Sequence, residues 1–251
     1  MMALARTRLT ALFLAEAKLI GRNATVAGTA TVFPIGMAVL LVVFGRDTLG
    51  ALGWALPIAL QIALMAGMTV YITTTLTLTA RREDLYLKRL RTSECADSTI
   101  ILGLASPVVL LGILQCLLIV GIVWVFGPAV PHNPLILVLA ILLLVAMSTV
   151  AAIATTGLVS TIQQADMAAM PFFLFLLGTV IWGGMGGADG PDVVQLLTPG
   201  GALMDLVRLA YDPAIGWGAL SASLPAFGVL AGWTALGAVA ATRLFRWDRR
   251  V

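Results

Sequence analysis

Charge is what this sequence has least of. Only 11% of its 251 residues are Asp, Glu, Lys or Arg, against about 25% in an ordinary soluble domain. That shortage excludes a soluble globular fold, and a net charge of +3 is too small to suggest nucleic acid as a partner. Histidine is nearly missing too. His132 stands alone between two prolines, so it has no sequence neighbour with which to build a metal site or a catalytic pair. The two cysteines, Cys95 and Cys116, lack the close spacing of a zinc site or a disulfide framework and read as unpaired thiols. No G-x-x-x-x-G-K-[ST] loop occurs, so the chain has no phosphate-cradling P-loop of its own. No clean apolar h-region precedes a cleavage site either. Arg6, Arg8, Glu16, Lys18 and Arg22 interrupt the first 25 residues.

What remains is apolar. Hydrophobic residues make up 60% of the chain and the mean hydropathy is +1.03, which places it among integral membrane proteins. A bilayer core takes about 20 apolar residues per helix. Six runs qualify: Val26–Phe44, Ala51–Ala80, Thr99–Phe126, Leu135–Ser160, Met167–Met185 and Ala219–Thr242. The second is long enough to tilt or to project beyond the membrane. Six spans put both termini on one side.

The few charges then decide which side. The N-terminal segment carries Arg6, Arg8, Lys18 and Arg22. The connection after the second span carries Arg81, Arg82, Lys88, Arg89 and Arg91, and the C-terminus carries Arg243, Arg246, Arg249 and Arg250. Thirteen of the fifteen basic residues fall on one predicted face, and only Arg46 and Arg208 on the other. The positive-inside rule makes that face cytoplasmic. Lysine supplies only Lys18 and Lys88 of the basic set, which fits a GC-rich bacterial genome. The expected fold is all-α: an integral membrane protein with six transmembrane helices, an N-terminal interfacial helix and an outer re-entrant helical segment before the last span. The whole of 1–251 forms one transmembrane domain. Residues 1–25 are its cytoplasmic interfacial helix, with Leu9, Leu12, Phe13, Leu19 and Ile20 able to share a face. Residues 81–98 are a cytoplasmic segment and 186–218 the outer re-entrant one.

Inside that outer segment, Leu203, Leu206, Val207 and Ala210 define one helical face. Asp205 and Arg208 are spaced to pair on it, as are Arg208 and Asp212. In the second span, Thr69, Thr73 and Thr77 recur every four residues with Thr74, Thr75 and Thr79 beside them. Such a stripe reads either as the lining of a substrate path or as helix packing through small hydroxyl residues, and packing is preferred. Gly183 and Gly187 have G-x-x-x-G spacing, and Pro171 is expected to kink or reset the fifth span. Intramembrane ionisable groups are almost absent, which disfavours ion-coupled transport.

The most charged stretch, "REDLYLKRLRTSE" from Arg82 to Glu94, mixes acids with bases at helical spacing, as in Asp84 and Lys88. A bare topology signal needs only the bases, so the mixture suits a docking surface for another protein. Here the chain resembles the permease subunit of an ABC exporter of the ABC-2 type. That family shows a pattern like L-x-x-L-R-T-T-P-L-S between its second and third spans. "LYLKRLRTSECADS", Leu85–Ser98, places Leu87, Leu90, Arg91 and Thr92 on the motif and departs from it at Ser93, Glu94 and Cys95. The family's lysine early in the third span is missing. "TPGGALMDLVRLAYD", Thr198–Asp212, resembles the family's proline followed by a helix with an arginine before the sixth span.

The resemblance implies an exporter built from two permease chains, identical or homologous, and two copies of a separate ATP-binding subunit in a bacterial cytoplasmic membrane. It implies that Glu83, Asp84, Leu87, Lys88, Arg89, Arg91 and Thr92 couple to that subunit. Pro199, Asp205 and Arg208 would support the re-entrant helix. ATP and Mg would bind in the partner, leaving this chain with no cofactor and no enzymatic activity of its own. The cargo would be hydrophobic or amphipathic: a drug, an antibiotic or a lipid-like molecule. Two rival readings are a membrane scaffold or immunity protein without transport activity, and a membrane-embedded enzyme. The enzyme reading requires a polar constellation that the sequence does not display.

Overall fold

A computed structural model describes residue 18, residues 24–48, 53–85, 97–127, 130–186 and 190–214, residue 216, and residues 218–245. Among them the structure is all helical. Helix α1 is Ala24–Thr48. Helix α2 runs from Ala55 to Glu83, with a π-helical stretch at Ala66–Ile72 in its middle. Helices α3, Asp97–Phe126, and α4, Pro134–Thr156, follow, then α5, Ile162–Gly184. Short α6, Val193–Leu196, leads into α7, Pro199–Tyr211. Short α8, Gly218–Ala222, precedes α9, Leu224–Leu244.

Five of these, α2, α3, α4, α5 and α9, are long and apolar enough to cross a membrane. The chain is therefore a multi-pass membrane protein by helix length and hydropathy. In hydrocarbon every backbone N–H and C=O must be paired within the segment, which is why long apolar runs can only become helices there. The first expected span, Val26–Phe44, lies within α1, of which the stretch Val32–Gly45 is apolar but shorter than a crossing. Large apolar side chains point outward along the bundle, among them Val43, Val125, Leu174 and Leu236. That outer surface suits lipid, because no water needs to be displaced from it.

The expected boundaries shift for local reasons. Helix α5 begins at Ile162, five residues before the expected start, because Thr161 caps it: its Oγ1 accepts from the Gln164 N–H at 3.3 Å, and Gln164 returns to the Ser160 N–H at 2.9 Å. Helix α5 also continues past Pro171, which lies exposed inside it. Helix α4 stops at Thr156, short of Ser160, and Gly157 follows. Helix α9 starts at Leu224, after a turn at Ser223 that separates it from α8.

Two ends can be distinguished. The α4–α5 turn, the end of α2 and the end of α9 gather at one, where a Cβ at Gly157 would lie 2.2 Å from the Leu244 carbonyl. The α3–α4 connection and α7 meet at the other, where the His132 and Asn133 N–H groups donate to the Ala210 carbonyl at 2.9 and 3.0 Å.

Candidate functional site

At the first end the sequence is richest in charge, and the structure divides those charges into two kinds. Arg81, Arg82 and Glu83 complete the last turn of α2 instead of opening a loop. Arg82 is 2% exposed. Its guanidinium donates to the Thr156 carbonyl at 2.9 Å and also to the Val159 carbonyl. These carbonyls belong to the end of α4 and the turn beyond it, where backbone acceptors run out of helical partners. Glu83 accepts from the Ile162 N–H at 3.3 Å, the first residue of α5. Asp84 and Leu85, by contrast, are exposed, and Leu85 takes a left-handed φ of 57° that ends the helix. Leu87, Lys88, Arg89, Arg91 and Thr92 lie outside the described residues.

Arg82 and Glu83 thus belong to the end of α2 and bond to the α4–α5 hairpin. Both are internal ties, and Arg82 is as buried as a core leucine. Sequence spacing gave no signal for this, since the carbonyls that Arg82 meets lie more than seventy residues away.

The threonines of α2 also separate. Thr74, Thr75 and Thr79 are buried, and the hydroxyls of Thr75 and Thr79 donate to the carbonyls four residues back, Tyr71 and Thr75, each at 2.8 Å. Thr69 and Thr77 are only half-buried and Thr73 is exposed, with its hydroxyl donating to the Met68 carbonyl at 3.1 Å. Packing thus explains the neighbours better than the stripe. The Thr69, Thr73, Thr77 stripe is the open side of α2.

At the opposite end, α7 is enclosed. Every residue from Pro199 to Ala210 except Arg208 is buried, so the helix has no outward polar face of the kind a surface amphipathic helix shows. It packs on α2, α4, α5 and α9. Small residues at its start make this possible. The Gly200 N–H donates to Thr179 Oγ1 on α5 at 3.2 Å, and a Cβ at Gly183 would sit 2.8 Å from the Gly201 Cα. Gly187, the other half of the G-x-x-x-G spacing, lies outside the described residues. Thr198 caps α7 by accepting from the Gly201 N–H at 3.1 Å, and Pro199 occupies its first turn, where a missing N–H costs nothing. The Trp233 indole donates to the Leu197 carbonyl at 3.0 Å and ties α9 to the entry of α7.

Asp205 and Arg208 meet as their spacing suggests. Arg208 Nη2 lies 2.9 Å from Asp205 Oδ1, and Nε lies 3.3 Å from the same oxygen. Gly190 borders the guanidinium with a positive φ of 85°, and a Cβ there would fall 2.5 Å from Arg208 Nε. Asp212, the alternative partner, instead accepts from the Ala214 N–H at 2.8 Å. Nearby, burial pushes the Tyr211 phenol up to about 12. Its hydroxyl finds no hydrogen-bond partner among the described residues. His132 is exposed in the α3–α4 connection. No group of three or more His, Cys, Asp or Glu that could hold a metal ion occurs among the described residues. No protein-family model matches this sequence, and no curated protein matches it.

Proposed function

We propose that this chain is the membrane-spanning subunit of an ATP-driven exporter of the ABC-2 type. It moves a hydrophobic or amphipathic substrate across a bacterial cytoplasmic membrane with α1 as its sixth crossing and both termini inside. Two permease chains work with two copies of a separate ATP-binding subunit, which holds ATP and Mg. The observation that carries this reading is α7: an enclosed, proline-started helix with a paired Asp205 and Arg208, placed just before the last span. In this reading the segment 186–218 enters and leaves the membrane on its outer side, and a surface anchor has no need of such an enclosed helix. Three further features support it. The basic residues gather on one face, the charged segment at 81–98 follows the second span, and the open Thr69, Thr73, Thr77 side of α2 offers hydroxyls to a passing molecule.

The test is purification of the tagged chain from its native membrane in lipid nanodiscs. A P-loop ATPase should co-purify in stoichiometric amount, with ATP hydrolysis in the complex and none in the chain alone. Recovery of the chain with no such ATPase, across several salt concentrations, overturns the reading in favour of a scaffold. Charge reversal at the docking surface is best made at exposed Asp84. Asp84→Lys should reduce ATPase recovery while leaving insertion intact, because like charges at an interface repel and added positive charge agrees with a cytoplasmic position.

A further inference from the structure

Tyr71, Arg82 and Glu83 lie on α2, and all three reach the same neighbour. The Tyr71 hydroxyl pairs with Thr155 Oγ1 at 3.0 Å, Arg82 meets the Thr156 and Val159 carbonyls, and Glu83 meets the Ile162 N–H. Tyr71, Thr75, Thr79 and Arg82 follow one another at spacings of four, four and three, the repeat of a single helix face. Thr75 and Thr79 bond back to α2's own carbonyls, so the ties to the neighbour come from the two ends of this face and finish on the α4–α5 turn. The sign of each charge matches the helix end it meets. A cation sits at the C-terminus of α4, where carbonyls project, and an anion at the N-terminus of α5, where N–H groups do. Orientation in the membrane depends on how many basic residues a segment carries, and it requires neither contact.

We propose that Arg82 and Glu83 form a clasp that makes the end of α2 and the α4–α5 hairpin one moving body. A push on the segment that follows α2 then passes into α4 and α5 as well as into α3. The clasp is a property of the chain itself; only the source of the push rests on the exporter reading. Arg82 and Glu83 are thus positioning residues that act through the hairpin. The close seat of the Leu244 carbonyl on Gly157 adds the end of α9 to the same body.

Spin labels on exposed positions measure this directly. In a Cys95→Ser background, Asp84→Cys with Leu158→Cys reports within the clasp, and Asp84→Cys with Leu102→Cys reports across to α3. With the chain alone in nanodiscs, the 84–158 distance should be a single narrow peak. Arg82→Gln should lose that narrowness, Arg82→Lys should regain part of it by keeping the charge near the carbonyls, and Arg243→Gln, at an exposed arginine of α9, should change nothing. An 84–158 peak as narrow in Arg82→Gln as in the wild type overturns the clasp. Should Arg82→Gln fail to insert, Glu83→Ala makes the same comparison, with Glu83→Gln as the variant that keeps an acceptor. In the complex with its ATP-binding subunit, trapping with a non-hydrolysable ATP analogue should shift the 84–102 distance and leave 84–158 in place. A larger shift at 84–158 than at 84–102 overturns the clasp. No shift at either pair, in a labelled chain that still co-purifies with the ATP-binding subunit, overturns the exporter reading, while the peak widths still decide the clasp.

Discussion

A residue's charge and its duty are separable here. Arg82 and Glu83 stand in the most charged stretch of the sequence, yet each bonds to the α4–α5 hairpin, Arg82 from a buried position and Glu83 from a half-exposed one. Hydrogen bonds to a charged group contribute about 1.5–3 kcal/mol each, so a buried guanidinium with two carbonyl acceptors is a structural tie of some weight. The Asp205–Arg208 pair was legible, because three-residue spacing on a helix brings side chains together whatever the tertiary context. What faces that pair was not legible. Gly190 is one glycine in a run of them, and only the structure shows the Arg208 guanidinium against it. Two effects then oppose any side chain at 190, a left-handed φ of 85° and the space filled by Arg208. Gly190→Ala is expected to lower stability by about 1–3 kcal/mol, the usual cost of a non-glycine residue in a sparsely populated backbone region. Gly216 is the matching control, since its φ of 55° is also positive but a Cβ there meets nothing within 4 Å. Thermal unfolding in detergent should show Gly190→Ala melting clearly below Gly216→Ala. Equal midpoints would mean that the Arg208 contact carries no weight.

At the scale of elements, hydropathy found the helices and missed their burial. Runs of about 20 apolar residues are a direct consequence of bilayer thickness, so α2, α3, α4, α5 and α9 were readable within a few residues. The starts of α5 and α9 were not, because Thr161 and Ser223 act through single hydrogen bonds or turns that a hydropathy run does not record. The enclosure of α7 also escaped the periodicity of Leu203, Leu206, Val207 and Ala210. Glycine carries little hydrophobic signal, yet Gly200 on α7 and Gly183 on α5 are where the backbones of the two helices approach. This gives α7 a sharp dependence on one missing methyl. A Cβ at Gly200 would lie 2.3 Å from both Thr179 Oγ1 and the Val180 nitrogen, and the second is backbone that cannot swing away. At Gly184 the nearest atom, 2.6 Å away, is the tip of the Leu56 side chain, which can rotate. Gly200→Ala should therefore cost at least the roughly 1–3 kcal/mol of core overpacking, while Gly184→Ala should be nearly neutral. Maleimide labelling of Leu206→Cys, a buried position on α7, checks the cause: it should rise in Gly200→Ala and stay low in Gly184→Ala. Labelling that remains low in both would show α7 docked without the close approach.

For the whole molecule, charge argues that α1 crosses the membrane. With α1 as a crossing, Arg6, Arg8, Lys18 and Arg22 join the other basic clusters on one side. Without it, those four residues sit opposite the arginines that follow α9, and the asymmetry that orients the chain weakens sharply. Translocating four basic residues works against the positive-inside rule, so the six-crossing arrangement is the expected one. Contacts inside the fold set the remaining constraint. The His132 and Asn133 N–H bonds to the Ala210 carbonyl put the α3–α4 connection and α7 on one side, and Arg82 puts the end of α2 with the α4–α5 turn on the other. Reporter fusions after Phe44 and after Gly127 should accordingly report the outside, and a fusion after Leu90 the inside. Those three positions report on α2 through α9, which keep their orientation whether or not α1 crosses, so α1 takes its own measurement. An epitope at the N-terminus of the full-length protein supplies it. It should be reached by antibody only after the cells are permeabilised, as should one placed after Val251. An N-terminal epitope labelled on intact cells, with the C-terminal one still protected, would reduce the fold to five crossings and leave α1 lying on the outer surface.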